Sequence, residues 1–292
     1  MAYMHISNLY KSQEILLFRE CYAMEKLHGT SAHIGLKDDK ITFFSGGVAH
    51  VEFLKLFDAE ALKEKMAAIV PEMVVYGEAY GGKCQGMSAT YGKELRFAAF
   101  EVKIGETWLC VPGAHDVVLK LGLDFVSYDK GPATVEWIES QRDADSEQAI
   151  RNGMGVGKMR EGVVVRPLME MRLASGERVI VKHKREEFRE TATLRKVDTS
   201  RLEVLADAQK ITLEWVTPMR LQHVVDKVRP AGIEDTGTVI KAMLEDVERE
   251  ATGEVVLSRE ARRMMGAKAA QMFKQSLQKA AIIAGGGYEV TG

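Results

Sequence analysis

The sequence has only 3 cysteines in 292 residues: Cys21, Cys84 and Cys110. They are scattered, odd in number and form no CxxC pair. This excludes a zinc ribbon and a disulfide framework and points to a reducing, cytoplasmic setting. Long apolar runs are missing too. None reaches the roughly 18 residues that a membrane-spanning helix needs, so no membrane association is expected. No basic stretch followed by an apolar one opens the chain, so no signal peptide is expected. Neither sign of charge dominates. With 40 Lys and Arg against 42 Asp and Glu, the net charge is −2, and the chain as a whole is no electrostatic trap for nucleic acid. Internal repeats are absent as well.

Hydrophobic residues make up 46% and charged residues 28%, enough for a packed core. The length fits two domains, or a large one with a small companion. Charge is distributed unevenly. Residues 158–196 hold 11 Lys and Arg against 6 Asp and Glu, whereas residues 201–292 hold 13 of each. A local basic surface can hold phosphates without a high overall pI. A solvated charged face is the alternative.

The first two thirds of the chain mix strand and helix patterns. Residues 20–26, 31–36 and 41–44 read as strands, the last two joined by the polar turn at 37–40. Residues 12–18 fit a short helix or a strand. Leu54, Phe57, Leu62, Met66 and Ile69 keep helical spacing over 51–69 and stop before Pro71. Met73 to Tyr76 is a strand that delivers Glu78 to its end. Residues 80–95, rich in Gly and polar groups, form a loop over a ligand or a plain surface loop. Strands are predicted at 95–104, 107–111, 162–166 and 178–182, the last two joined by a Ser175-Gly176 turn. Helices are predicted at 114–121, 135–141 and 146–150. Gly153, Gly155 and Gly157 mimic a dinucleotide fingerprint, but no βαβ unit surrounds them, so they read as a loop. Beyond about residue 200, helical periodicity dominates. Val239, Met243, Leu244 and Val247 share one face, and Ser258 can cap a last helix carrying Ala261, Met264, Met265, Met272, Phe273 and Leu277. The expected division is 1–200 and 201–292.

Lys26 stands in Met24-Glu25-Lys26-Leu27-His28-Gly29-Thr30. An ammonium must lose a proton before it attacks phosphorus, and a free lysine, with a pKa near ~10.4, is rarely neutral. Nearby positive charge raises that fraction. Lys182 and Lys184, two apart on a strand, point to one face. They hold phosphates there, or they form the polar face of an edge strand. Glu161 precedes the apolar run Val163-Val164-Val165, a position suited to a metal or an ordinary exposed carboxylate. Glu78 follows an apolar strand and can accept a ribose hydroxyl, or serve as a turn carboxylate. Phe97 and Phe100, three apart on a strand, face opposite sides. One belongs to the core and the other is free to stack on a purine.

The order of these stretches resembles the covalent nucleotidyltransferases, the superfamily of DNA ligases, RNA ligases and mRNA capping enzymes. Glu25-Lys26-Leu27-His28-Gly29 resembles their first motif, and Tyr76-Gly77-Glu78, Phe97 to Val102, Glu161 to Arg166 and Val181 to Lys184 resemble those that follow. Each is weak alone; five in order over residues 24–184 are specific. Histidine at 28, where DNA ligases and capping enzymes usually carry aspartate, is similar to the RNA ligase 2 type of phage and editing enzymes, as is a helical tail in place of an OB-fold. The resemblance implies an α+β fold: a nucleotidyltransferase (ATP-grasp-like) domain of antiparallel sheets with flanking helices, plus a small all-helical C-terminal domain. It also implies an ATP-dependent RNA ligase that joins 5′-phosphate and 3′-hydroxyl RNA ends, nicked or broken, with no protein partner. ATP would be the AMP donor and Mg²⁺ or Mn²⁺ the metal. Lys26 would become lysyl-AMP. Glu25, His28, Gly29, Glu78, Phe100, Glu161, Lys182 and Lys184 would bind the nucleotide, Phe100 by stacking and Glu78 at the ribose, and Glu161 would also place the metal. Glu101 stands where relatives often have aspartate. Relatives often carry an arginine in the segment that here reads Phe44-Ser45-Gly46-Gly47. The rival readings are a DNA ligase or guanylyltransferase, and a non-catalytic RNA-binding protein on a ligase scaffold.

Overall fold

The computed structural model describes residues 3–173, 176–188, 197, 199 and 202–285, with side chains as far as residue 279. The chain divides into two compact units, Met1–Glu170 with Val179–Val197, and Met171–Arg178 with Asp198–Gly292. The fold is α+β, with antiparallel sheets, flanking helices and a helical C-terminal region.

The strands of the first unit are β1 (Ser7–Asn8), β2 (Glu20–Lys26), β3 (Thr30–Lys37), β4 (Lys40–Phe44), β5 (Met73–Gly81), β6 (Leu95–Ile104), β7 (Thr107–Trp108), β8 (Asp124–Phe125), β9 (Tyr128–Pro132), β10 (Gly162–Pro167) and β11 (Val181–Lys184). Its helices are α1 (His50–Leu54), α2 (Ala59–Ile69), α3 (Ser88–Tyr91), α4 (Val111–Leu121), α5 (Val135–Asp143) and α6 (Glu147–Arg151). One sheet has the order β1-β11-β10-β2-β9. The other runs β4-β3-β5-β6-β7, with β8 also paired to β6. Alternation explains the second sheet: Ile34, Leu36, Val75 and Val102 turn one face toward Leu62 and Met66 of α2 and Val118 of α4, and all are buried. The chain crosses from the first sheet to the second between β2 and β3, at Leu27-His28-Gly29.

The second unit contains α7 (Leu202–Trp215), α8 (Pro218–Val228), α9 (Thr236–Glu250) and α10 (Arg259–Gly285). Val239, Met243 and Val247, four residues apart on α9, are fully buried and pack with Met265 and Phe273 of α10. Leu244 lies partly buried beside them. Ser258 caps α10, its Oγ accepting the Ala261 amide at 3.1 Å, and Thr217 caps α8 in the same way.

Several expected elements differ. The single helix over 51–69 is two. Turn-type bonds at Leu56 and Phe57 end α1, and the Asp58 carboxylate accepts the Ala61 amide at 3.1 Å to start α2. The apolar spacing carries on across the break and hides it. Strand β5 runs on to Gly81, so Glu78 lies within the strand and not at its end. The loop expected over 80–95 contains a 3₁₀ turn and α3. The segment at 107–111 is strand only to Trp108, because Val111 opens α4. Strand β11 begins at Val181 and not Arg178, and the turn through Ser175 falls partly outside the described residues. Residues 12–18 hold a 3₁₀ turn at Glu14–Leu17. Strand β9, unforeseen, carries Gly and Pro on an edge, where propensity is silent.

Candidate active site

Three neighbouring strands of the first sheet set out the charged groups. Gly162 at the start of β10 stands opposite Lys26 of β2 on one side and Lys184 of β11 on the other. Glu161, one residue earlier, therefore falls between two ammonium groups. Its Oε2 lies 2.9 Å from Lys26 Nζ and its Oε1 2.8 Å from Lys184 Nζ. His28 Nδ1 approaches the same Oε2 at 3.2 Å. The register needs glycine at 162, since φ is +157° and an added Cβ would lie 2.2 Å from the His183 carbonyl oxygen. Glu161 is 2% exposed. Burial alone would raise its pKa, but the charge of Lys26 and the hydrogen bonds from Lys184 and Lys26 outweigh it and hold the carboxyl below its ordinary value.

The crossover turn joins this cluster to the second sheet. The Gly29 amide donates to Glu78 Oε1 at 3.1 Å. An added Cβ at Gly29 would lie 2.3 Å from the Ala79 carbonyl oxygen, so only glycine permits this approach. Glu78 is pushed up to about 7, chiefly by burial, with Lys26 pulling it down and Glu161 pushing it up. The His28 amide donates to the Tyr91 hydroxyl at 3.3 Å, and the His28 ring lies 5.1 Å from Phe188.

A cavity of about 410 Å³ opens here, lined among others by Lys26, Glu78, Phe100, Arg166 and Lys182. That is the size of a small-molecule site. Of the nine residues read from the sequence, Glu25, Lys26, Glu78, Phe100 and Lys182 line it. Gly29, His28, Glu161 and Lys184 contact one another or the lining residues. Phe97, by contrast, is buried in the core against Phe53 and Phe57, so one phenylalanine belongs to the core and the other to the cavity. Glu25 is tied down. Ser146 and Ser127 donate to it at 2.5 and 2.9 Å, and the Gln148 amide at 3.1 Å. Its carboxylate braces the floor of the cavity with three donors already in place.

Sequence reasoning gave no role to Arg166. It closes the apolar run of β10, is 1% exposed, and lines the cavity. Its Nη1 lies 2.9 Å from Glu101 Oε1 and its Nη2 donates to Glu170 and the Leu109 carbonyl at 2.8 Å. Its Nε has no hydrogen-bond partner among the described residues. A guanidinium ending a run of valines on a central strand was the available signal, because such a group is seldom buried without a task. Among the described residues no group of three or more His, Cys, Asp and Glu could cage a metal, and no helix is long and apolar enough to cross a membrane.

A family model described as RNA ligase matches residues 19–184, more than half of the chain. Similar solved structures include a Naegleria gruberi RNA ligase with PPi, at 17% identity and TM-score 0.51, covering 64% of this chain and 57% of that one. A variant of that ligase with ATP and Mn is similar at 17% identity and TM-score 0.51, covering 64% and 56%. Another with AMP and Mn gives 17%, 0.51, 64% and 57%. At such identity the likeness is one of fold, and the match spans under two thirds of the relative's length. No curated protein matches the sequence. The family match covers the crossover turn, both lysine strands and the glutamate between them: the chain belongs to the RNA ligase family.

Proposed function

We propose that the protein is an ATP-dependent RNA ligase that seals 5′-phosphate to 3′-hydroxyl RNA ends through a covalent lysyl-AMP. The observation that carries this is the placement of Lys26 in the lining of a cavity of about 410 Å³, with its Nζ 2.9 Å from Glu161 and a second lysine on the same carboxylate. The RNA ligases of similar fold that hold ATP and Mn, AMP and Mn, or PPi support it.

In the first step, deprotonated Lys26 Nζ attacks the α-phosphorus of ATP. The N–P bond forms as the bond to the bridging oxygen breaks, and pyrophosphate leaves with that electron pair. In the second, a 5′-phosphate oxygen of RNA attacks the same phosphorus, the N–P bond breaks, and Lys26 takes up a proton and departs as the amine. In the third, the 3′-hydroxyl attacks the 5′-phosphorus and gives its proton to solvent, the phosphoanhydride bond to AMP breaks, and AMP leaves with that electron pair. Phe100 stacks on the base and Glu78 accepts from the ribose. Lys182 and Lys184 hold phosphate oxygens, and Arg166, paired with Glu101 and Glu170, steadies the cavity wall. A divalent cation would be held by Glu161, an ionised carboxylate, once Lys26 and Lys184 leave its two oxygens for phosphate. When bound it supplies neutralisation of phosphate charge. The rest of the catalysis is positioning and electrostatics. Residues 1–200 would form the adenylyltransferase domain and 201–292 a helical companion.

The test is incubation with α-³²P-labelled ATP and Mg²⁺, then a denaturing gel, with GTP and Lys26→Ala in parallel. A band with ATP that vanishes in the variant is the expected result. A band surviving in Lys26→Ala would take the nucleophile's role from Lys26. No band from folded wild-type protein purified free of AMP would favour an RNA-binding scaffold without catalysis.

A further inference from the structure

All four residues from Tyr3 to Ile6 line the cavity, although they lie far in sequence from Lys26 and on no strand that carries the phosphate-binding groups. The segment starts from the first sheet. Strand β1 runs parallel to β11 with Asn8 opposite Lys182, and the Leu9 amide donates to the Lys182 carbonyl at 2.9 Å. It ends on the second sheet. The Tyr3 hydroxyl donates to Glu101 Oε2. The Tyr3 ring lies edge-on to Phe100, with centroids 5.0 Å apart, and also 5.2 Å from Tyr76 and 6.1 Å from Trp108. One short strap thus ties the strand of Lys182 to the strand of Phe100 and Glu101.

Phe100 needs such support. The β5–β6 ladder pairs Tyr76 with Glu101 and Gly77 with Ala99, which leaves Phe100 as the extra residue of a bulge. A bulged residue is not aimed by the ladder, so its neighbours decide where the ring points. Tyr3 meets that ring, and its hydroxyl holds the carboxylate of the next residue, Glu101, whose other oxygen faces Arg166 at 2.9 Å. The strap is a wall and not a plug, because the cavity of about 410 Å³ persists with the strap in place.

We propose that Tyr3 is a positioning residue for the nucleotide base: it fixes the plane of Phe100 and the carboxylate of Glu101, and Met4–Ile6 close the slot beside them. This rests on the reading of the cavity as an ATP site. The base end of the ligand depends on the strap, and the phosphate end, served by Lys26, Lys182 and Lys184, does not depend on the Tyr3 ring.

The experiment is single-turnover labelling with α-³²P-ATP on the full chain, comparing wild type, Tyr3→Ala and Tyr3→Phe, with tripolyphosphate as a competitor that has no base. Tyr3→Ala is expected to raise the ATP concentration for half-maximal labelling about tenfold, with the maximal rate within about twofold of wild type. Tyr3→Phe keeps the ring contacts and is expected to recover most of the affinity, within about threefold. Tripolyphosphate is expected to inhibit all three proteins equally. An unchanged half-saturation in Tyr3→Ala, or an equal loss of affinity for ATP and tripolyphosphate, overturns the role of Tyr3 while the labelled wild type keeps the ATP site. Failure of folded wild type to label removes the ATP site and this role with it.

Discussion

Replacing Glu78 with glutamine should make the protein more stable at alkaline pH and leave it nearly unchanged at mildly acidic pH. Burial lifts the Glu78 carboxyl from 4.5 to about 7. Between those values the unfolded chain has released this proton and the folded chain retains it, so stability falls as pH rises. At about 1.36 kcal/mol per pKa unit, the loss between pH ~5 and ~8 comes to about 2.5 kcal/mol. The carboxyl faces the cavity and is only half-buried, so water there reduces the figure, and roughly 1–2.5 kcal/mol is expected. Glutamine retains an oxygen to accept the Gly29 amide and has no proton to lose. The assay is urea unfolding of wild type and Glu78→Gln at both pH values, read by tryptophan fluorescence. The difference between the two proteins cancels the titrating groups that do not interact with Glu78. A gap that is the same at both pH values would refute the reasoning, as would a wild type that gains on the variant as pH rises.

Lys182→Ala should slow labelling with ATP by at least about tenfold while moving the unfolding midpoint little, since a half-exposed strand lysine contributes about 1 kcal/mol or less to stability. Equal losses of folded protein and rate would count against its phosphate role. Phe97→Ala and Phe100→Ala should separate. The core residue is expected to cost about 3–5 kcal/mol in denaturant unfolding, and the half-buried one chiefly to raise the ATP requirement for labelling. Gly29→Ala should destabilise the protein by about 1–3 kcal/mol, because the new methyl meets the Ala79 carbonyl. A variant as stable as wild type and labelled at the same rate would mean that the turn has room the geometry denies.

Part of the candidate site could be read from residue order because Lys26, Glu161 and Lys184 stand at strand ends and Lys182 alternates with Lys184. Lys182 and Lys184 share a face of β11 as a period of two demands, and Phe97 and Phe100 separate between core and cavity. What stayed hidden depends on contacts between distant segments. Nothing near Glu25 announces that Ser127, Ser146 and the Gln148 amide will converge on it. Nothing in residues 3–6 marks them as a cavity wall. Arg166 was visible only as a charge ending an apolar run, and its partners Glu101, Glu170 and Leu109 come from other places in the chain. The break between α1 and α2 escaped for the opposite reason: the local pattern was too regular, since Phe57 faces the core whether or not the backbone is helical there.

Strand β2 has paired neighbours on both sides from Cys21 to Met24, and the amide of Glu25 is held by the Ser127 carbonyl. Lys26 therefore hangs from backbone that is clamped on timescales much longer than a side-chain hop. Under the proposed mechanism, leaving Glu161 and reaching toward phosphorus fall to rotations of its own four-carbon stem and not to the strand. Amide exchange should find Ala23 and Met24 among the last protons to leave.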